Sequence, residues 1–197
     1  MDVQTILELS QKEKGKPHKY EIEVTRAVTC PSLKVTPTYG MKVGKQKHEL
    51  IEQKLKQRQG VEVEVEVDLV YKDVLLKGRL DAIDLNNYII YEIKPSNIKP
   101  SYIRQLSAYV TMVRELTSIN FDGRFLIYNK ESLIEVVPSY IDLTVLDTAI
   151  SHINSTVSGE HCSICELIKA CPKEEVWVEK FGFEISKMKK LDDFFNP

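Results

Sequence analysis

Apolar residues recur along this chain with two periods, and each period predicts its own elements. Val3, Ile6, Leu7 and Leu9 fall at near-helical spacing before the lysine- and glycine-bearing stretch 12–16, which predicts a helix over about 2–14. A second helix is predicted over 40–58, where Val43, His48, Ile51 and Leu55 lie near one face. The period then shortens: VEVEVEVDLV at 61–70 alternates strictly and reads as a half-buried strand. VLLKGRLDAIDL at 74–85 and YIIYEIK at 88–94 read as two more strands, with Asn86-Asn87 as the turn between them. Pro100 opens a helix to about 117, with Ile103, Leu106, Val110, Val113 and Leu116 on its apolar stripe. FLIY at 125–128 and LIEVV at 133–137 predict two further strands, and a helix follows near 142–156. The order helix–βββ–α–β–β–α indicates one mixed α/β domain with a central sheet over 1–197.

Composition narrows the class. A chain of 197 residues, 43% of them apolar, fits one domain with a core. No apolar run approaches the roughly 18 residues that span a bilayer. The opening MDVQTILELS lacks a basic-then-apolar order, so no secretory signal is expected and a cytoplasmic location is. Charge is nearly balanced, 27 Lys/Arg against 29 Asp/Glu, but unevenly spread. Residues 1–60 carry 12 cations against 7 anions, and residues 61–97 carry 4 against 8. A basic flank beside an acidic middle suits a phosphate-attracting surface next to a carboxylate metal site.

Three of the four cysteines sit together as Cys162-x2-Cys165-x5-Cys171, and Cys30 lies far upstream. With no export signal a disulfide framework is not expected. Four thiolates gathered in space suit Zn²⁺ or an iron–sulfur cluster, and one compact trio plus an isolated cysteine favours the cluster over paired zinc knuckles. Either would clip the N-terminal region to the C-terminal one.

The predicted hairpin carries the candidate chemistry. Pairing around Asn86-Asn87 sets Asp81 opposite Glu92, and alternation points Glu92 and Lys94 to one face with Ile93 turned away. Two carboxylates that close repel unless a divalent cation neutralises them. A lysine two residues along can hold a water or an anionic oxygen beside such a cation. These are the parts that phosphodiester hydrolysis needs. An Asp…Glu-x-Lys pattern alone is usually a solvated strand face, but three additions change its weight. Gln105 and Tyr109 share a face of the next helix, the upstream helix offers Gly44 and His48, and the cysteines bracket the whole core. The segment from Gly40 to Gln46 is too short between its glycines, and lacks the Ser/Thr, for a phosphate-binding loop, so no ATPase is expected.

The run GRLDAIDLNNYIIYEIKPSNIKPSYIRQLSAYVTMV resembles the core of the PD-(D/E)xK nucleases, specifically their RecB-like branch. With Cys30-Pro31 upstream and Cys162, Cys165 and Cys171 downstream, the stretch from about 25 to 172 is similar to the CRISPR-associated exonucleases of the Cas-four family and their archaeal viral relatives. The resemblance implies a restriction-endonuclease-like core over about 40–140, with cluster-binding segments at about 25–35 and 160–175. It implies His48, Asp81, Glu92 and the Ile93 carbonyl as ligands of Mg²⁺ or Mn²⁺, with Lys94 orienting water and Gln105 and Tyr109 supporting it. It also implies a [4Fe–4S] cluster on Cys30, Cys162, Cys165 and Cys171, with Zn²⁺ as the alternative. The activity implied is exonucleolytic cleavage of DNA, mainly single-stranded and from 5′ ends, with endonuclease activity as a second mode, by a protein that often forms ring-shaped oligomers and acts in CRISPR adaptation or in viral or cellular replication, recombination and repair. The alternative is a non-catalytic DNA-binding or assembly subunit on the same fold.

The tail 183–197 adds one more expectation. A helical turn bringing Leu191, Phe194 and Phe195 together, with Met188 where glutamine is usual, resembles a sliding-clamp-binding peptide. A terminal helix packed on its own domain is the equal alternative.

Overall fold

The computed structural model describes residues 1–36, 39–95, 97–128, 133–177 and 185–190, the last segment and residues 39–43 by backbone only. Its elements in chain order are α1 (Val3–Lys14), β1 (Tyr20–Glu23), α2 (Val24–Ala27), α3 (Tyr39–Leu55), β2 (Val61–Tyr71), β3 (Val74–Asp84) and β4 (Ile89–Pro95). There follow α4 (Pro100–Thr117), β5 (Asp122–Tyr128), β6 (Leu133–Pro138), α5 (Val145–Ser151), β7 (Val157–Ser158), a 3-10 turn (Glu160–Ile164), β8 (Glu175–Val176) and β9 (Ile185–Lys190).

The strands of the main sheet run β1-β3-β4-β5-β6-β9, with β2 on the other side of β3. β3 is the hub. β2 pairs antiparallel along its length, so β1 and β4 must share the opposite edge: β1 pairs with Val74–Lys77 and β4 with Ala82–Asp84. Among the described residues, no strand pairs with 78–81 on that edge, between these two ladders.

Local chemistry sets the hairpins. Lys72 and Asp73 both have positive φ (46° and 65°), the backbone of a tight two-residue turn joining β2 to β3. Between β3 and β4, Asp84 Oδ1 accepts the amides of Asn86 and Asn87, both at 3.0 Å. That fixes the turn the Asn-Asn pair predicts. α1 is capped by Asp2, whose carboxylate accepts the Thr5 amide at 2.9 Å. Its far end closes the open edge of β2: Ser10 Oγ accepts the Asp68 amide (2.8 Å) and Glu13 Oε2 the Val70 amide (3.2 Å).

Two apolar layers cover the sheet. α4, α1 and α5 pack with Leu76, Leu80, Ile83, Ile90 and Phe125, while α3 packs through Ile51 and Leu55 on Val61, Ala82, Tyr91, Ile93 and Leu126. The alternation in β2 holds, but its valines do not share a side. Val65 and Val67 face the α4 layer, whereas Val61, with Val63 beside it, faces α3. The switch occurs at Glu64, whose φ of 53° turns the strand over opposite Asp81, between the pairs Val63↔Ala82 and Val65↔Leu80.

Two expectations need correction, and one strand was not anticipated. The helix predicted over 142–156 is confined to Val145–Ser151, where Val145, Leu146 and Ala149 are buried. β1 was not anticipated, because YEIE buries only Ile22. Met188, expected at a helical turn, lies in β9, extended and paired with Val136. Leu191, Phe194 and Phe195 fall outside the described residues. No helix among the described residues is long and apolar enough to cross a membrane.

Candidate active site

Three elements converge where β3 parts from its neighbours. The register Ala82↔Tyr91 carries one step further to put Asp81 across from Glu92, as the turn position predicts. The ladder stops there, and Asp81 supplies the missing acceptor itself: its Oδ2 takes the Ile93 amide at 2.7 Å. Ile93 is buried against α3, so Glu92 and Lys94 face the other layer.

Glu92 is fully buried, at 0% exposure, and neither carboxylate oxygen accepts a well-directed hydrogen bond. Lys94 Nζ lies 2.5 Å from its Oε1 as an ion pair. Burial, with the Asp81 charge added, pushes the Glu92 carboxyl up to about 7 against the pull of Lys94. Burial also opposes the charge on Lys94, yet Glu92 and Asp81 together hold its ammonium above the usual lysine range. The Lys94 ammonium sits 5.0 Å from the centre of the Tyr102 ring, a contact the sequence did not point to.

α4 supplies Gln105 and Tyr109, one turn apart, with Gln105 Nε2 donating to the Tyr109 hydroxyl at 3.4 Å. Burial and the Glu92 charge raise the Tyr109 phenol, keeping it a neutral hydrogen-bonding group. Asp81, Glu92, Lys94, Gln105 and Tyr109 line one cavity of about 460 Å³.

His48 reaches Asp81 from α3, its Nε2 3.1 Å from Asp81 Oδ2. Its Nδ1 lies 3.1 Å from Oε1 of Glu52, a buried acid one turn on. Burial opposes the imidazolium, but Asp81 and Glu52 outweigh it and raise the His48 pKa. Glu52 was missed by sequence reasoning, although its i,i+4 spacing from His48 was a readable signal. Gly44 stands one turn before His48, and its carbonyl accepts the Tyr128 hydroxyl at 3.2 Å, seating α3 on the sheet.

The donor set fits a divalent cation. A buried carboxylate without directed donors, a second carboxylate and an imidazole nitrogen are the oxygen-rich, partly nitrogenous ligands that Mg²⁺ or Mn²⁺ accepts. Among the described residues, the group whose ligand atoms all come within 4.8 Å of one another is His48, Glu52 and Asp81; Glu92 is not part of it.

None of the four cysteines lines this cavity. Cys30 is buried, and its Sγ accepts the Val157 amide at 3.4 Å; Cys162, Cys165 and Cys171 are half-buried, and none is in a disulfide. The two segments are joined further by the Trp177 indole donating to Thr29 O (2.6 Å) and the Glu166 amide to Lys34 O (3.1 Å). Arg104 of α4 stacks its guanidinium 4.5 Å from the Trp177 ring.

Residues 38–128 match the family described as restriction endonuclease fold toxin 9. A solved structure titled "Crystal structure of SSO0001" is 20% identical, with a TM-score of 0.57 over 87% of this chain and 96% of that one. No curated protein matches the chain. The family match supports a nuclease of the PD-(D/E)xK-like superfamily, and the structural likeness shows the same mixed α/β fold.

Proposed function

We propose that this chain is a metal-dependent deoxyribonuclease that hydrolyses phosphodiester bonds at Asp81, Glu92 and Lys94. One observation carries the reading: a fully buried Glu92 carboxylate without a directed donor shares a cavity with Asp81 and an ion-paired lysine. Lys94 compensates one carboxylate, but Asp81 beside Glu92 leaves the cavity with more acid than base, a surplus that a divalent cation would neutralise.

Asp81, Glu92, His48 and the Ile93 carbonyl would hold Mg²⁺ or Mn²⁺. The bound ion would acidify a water and neutralise charge on the scissile phosphate. Lys94, kept charged by its two acidic neighbours, donates hydrogen bonds to a water or phosphate oxygen in the cavity. Gln105 holds the Tyr109 hydroxyl toward the same space. Tyr102 limits where the Lys94 ammonium can move.

The preferred substrate is single-stranded DNA entered from a 5′ end, the activity implied by the resemblance to the Cas-four nucleases. Their setting in CRISPR adaptation or in replication and repair is part of the same reading. Cys30, Cys162, Cys165 and Cys171 hold a [4Fe–4S] cluster, with Zn²⁺ the alternative occupant; the donor set of four thiols outside any disulfide, on two segments tied together, supports this. A second reading follows from the family match alone: a nuclease toxin acting on cellular DNA.

The deciding experiment incubates anaerobically purified protein with end-labelled single- and double-stranded DNA, with and without Mn²⁺. Glu92→Ala and Lys94→Ala should abolish cleavage while leaving the protein folded. Undiminished cleavage by either variant would remove the site assignment, and no cleavage by the native chain would favour the non-catalytic subunit. Growth arrest on expression, relieved by Lys94→Ala, would favour the toxin.

A further inference from the structure

His48 is held at both ring nitrogens, by a different acid at each. Nδ1 lies 3.1 Å from Glu52 Oε1 and Nε2 lies 3.1 Å from Asp81 Oδ2. The two nitrogens of an imidazole point in diverging directions. Glu52 meets Nδ1 while a cation beside Asp81 would meet Nε2; because ligand atoms of all three residues come within 4.8 Å, the double variant below separates a positioning Glu52 from a ligating one.

Glu52 has little else to do. It is only 7% exposed, within an α3 whose Ile51 and Leu55 are fixed in the core and whose Gly44 carbonyl is pinned by Tyr128. The carboxylate accepts the Nδ1 proton at 3.1 Å, so Glu52 holds the ring with Nε2 facing Asp81. Without an ion, an Nε2 proton donated to Asp81 fills that 3.1 Å contact; a divalent cation bound there would take the proton's place.

We infer that Glu52 is a positioning residue of the metal site, setting the tautomer and orientation of His48 without touching the ion. This rests on the metal-site reading above. Carboxylates placed behind a metal-binding histidine raise its basicity and lock its ring, and losing one typically weakens metal binding about 10–100-fold.

The test is Mn²⁺ titration of the full chain, stripped with EDTA, by calorimetry and without DNA. Glu52→Ala should weaken Mn²⁺ binding about 10–100-fold while the thermal midpoint in EDTA shows a folded protein. Glu52→Gln, which keeps an acceptor for Nδ1–H, should lose less, and it carries the test should the alanine variant not fold. His48→Ala should lose about as much as Glu52→Ala, and Glu52→Ala in the His48→Ala background should add nothing. Unchanged binding by Glu52→Ala, or a further loss in that background, overturns the inference while leaving the site intact. A native chain that binds no Mn²⁺ overturns both.

Discussion

The ring of Tyr109 lies against the bare backbone of Gly78: a Cβ at that glycine would come within 2.7 Å of Tyr109 Cε1. The same Cβ would stand 3.2 Å from the Val67 carbonyl, which belongs to a paired strand and cannot retreat. The glycine opens the stretch of β3 left unpaired on one edge, so the missing side chain lets α4 bring Tyr109 over the cavity.

Gly78→Ala should therefore displace Tyr109 and destabilise the fold by about 1–3 kcal/mol, the usual penalty for overpacking. DNA cleavage should fall by more than the loss of folded protein explains. Thermal melts and cleavage rates measured on one preparation would check this. An alanine variant equal to the native chain in both would show that the backbone yields without cost.

Glu92→Gln separates stability from activity. A carboxyl whose folded pKa is raised from the ordinary range to about 7 is neutral in both states at acid pH. As pH rises through the unfolded value toward the folded one, the unfolded chain ionises first, and the folded state carries a growing penalty. That penalty is complete above the folded pKa. In EDTA, Glu92→Gln should match the native chain near pH 4, if both remain folded, and exceed it by up to a few kcal/mol near pH 8. Cleavage with Mn²⁺ should be lost. Parallel denaturation curves at the two pH values test this, and a constant offset between the proteins would count against it.

Much of the site was legible because it is local. The Asn86-Asn87 turn fixes how Asp81 meets Glu92, and Gln105 and Tyr109 are one helical turn apart. What was not legible depends on geometry that side-chain type does not encode. Glu64 reads as an ordinary polar position in an alternating strand, yet its left-handed backbone moves the valines on either side of it to different layers. The consequence reaches the site, since His48 from the α3 layer and Glu92 from the other layer both approach Asp81 at that break. Tyr102 was overlooked because it matters through one contact made only after α4 docks, whereas Glu52 could have been read from its i,i+4 spacing to His48 within α3. The tail shows the converse, because Ile185–Lys190 pairs with a strand more than forty residues upstream.

The conformation of Glu64 gives its own prediction. A non-glycine residue in the left-handed region costs about 1–2 kcal/mol, and its ion pair with Arg79 joins two exposed side chains that contribute little. Glu64→Asn or Glu64→Gly should leave stability unchanged or raise it by up to about 1 kcal/mol. Glu64→Val, which strengthens the alternating pattern, should destabilise, because a β-branched residue resists that φ. If Val proves the most stable of the three, β2 does not turn over at this position.

Trp177 ties the cysteine-bearing segments to the helix that carries Gln105. Its indole donates to Thr29 O at 2.6 Å, its face takes Arg104 at 4.5 Å, and His152 meets it edge-on at 5.0 Å. Glu160, in the same segment, accepts the Ser101 amide at 2.8 Å in the first turn of α4. Trp177→Ala removes the hydrogen bond and both ring contacts, leaving Arg104 with an open face. A loss of about 2–3 kcal/mol is expected, toward the low end for a large aromatic because Trp177 is only partly buried. The opening should be local, since the sheet does not depend on Trp177. Hydrogen exchange should therefore quicken around 28–34 and 157–176, and in the first turn of α4, while β3, β4 and β5 keep their protection. Equal acceleration through the sheet would mean that the cysteine-bearing segments are part of one cooperative core rather than a clamp laid upon it.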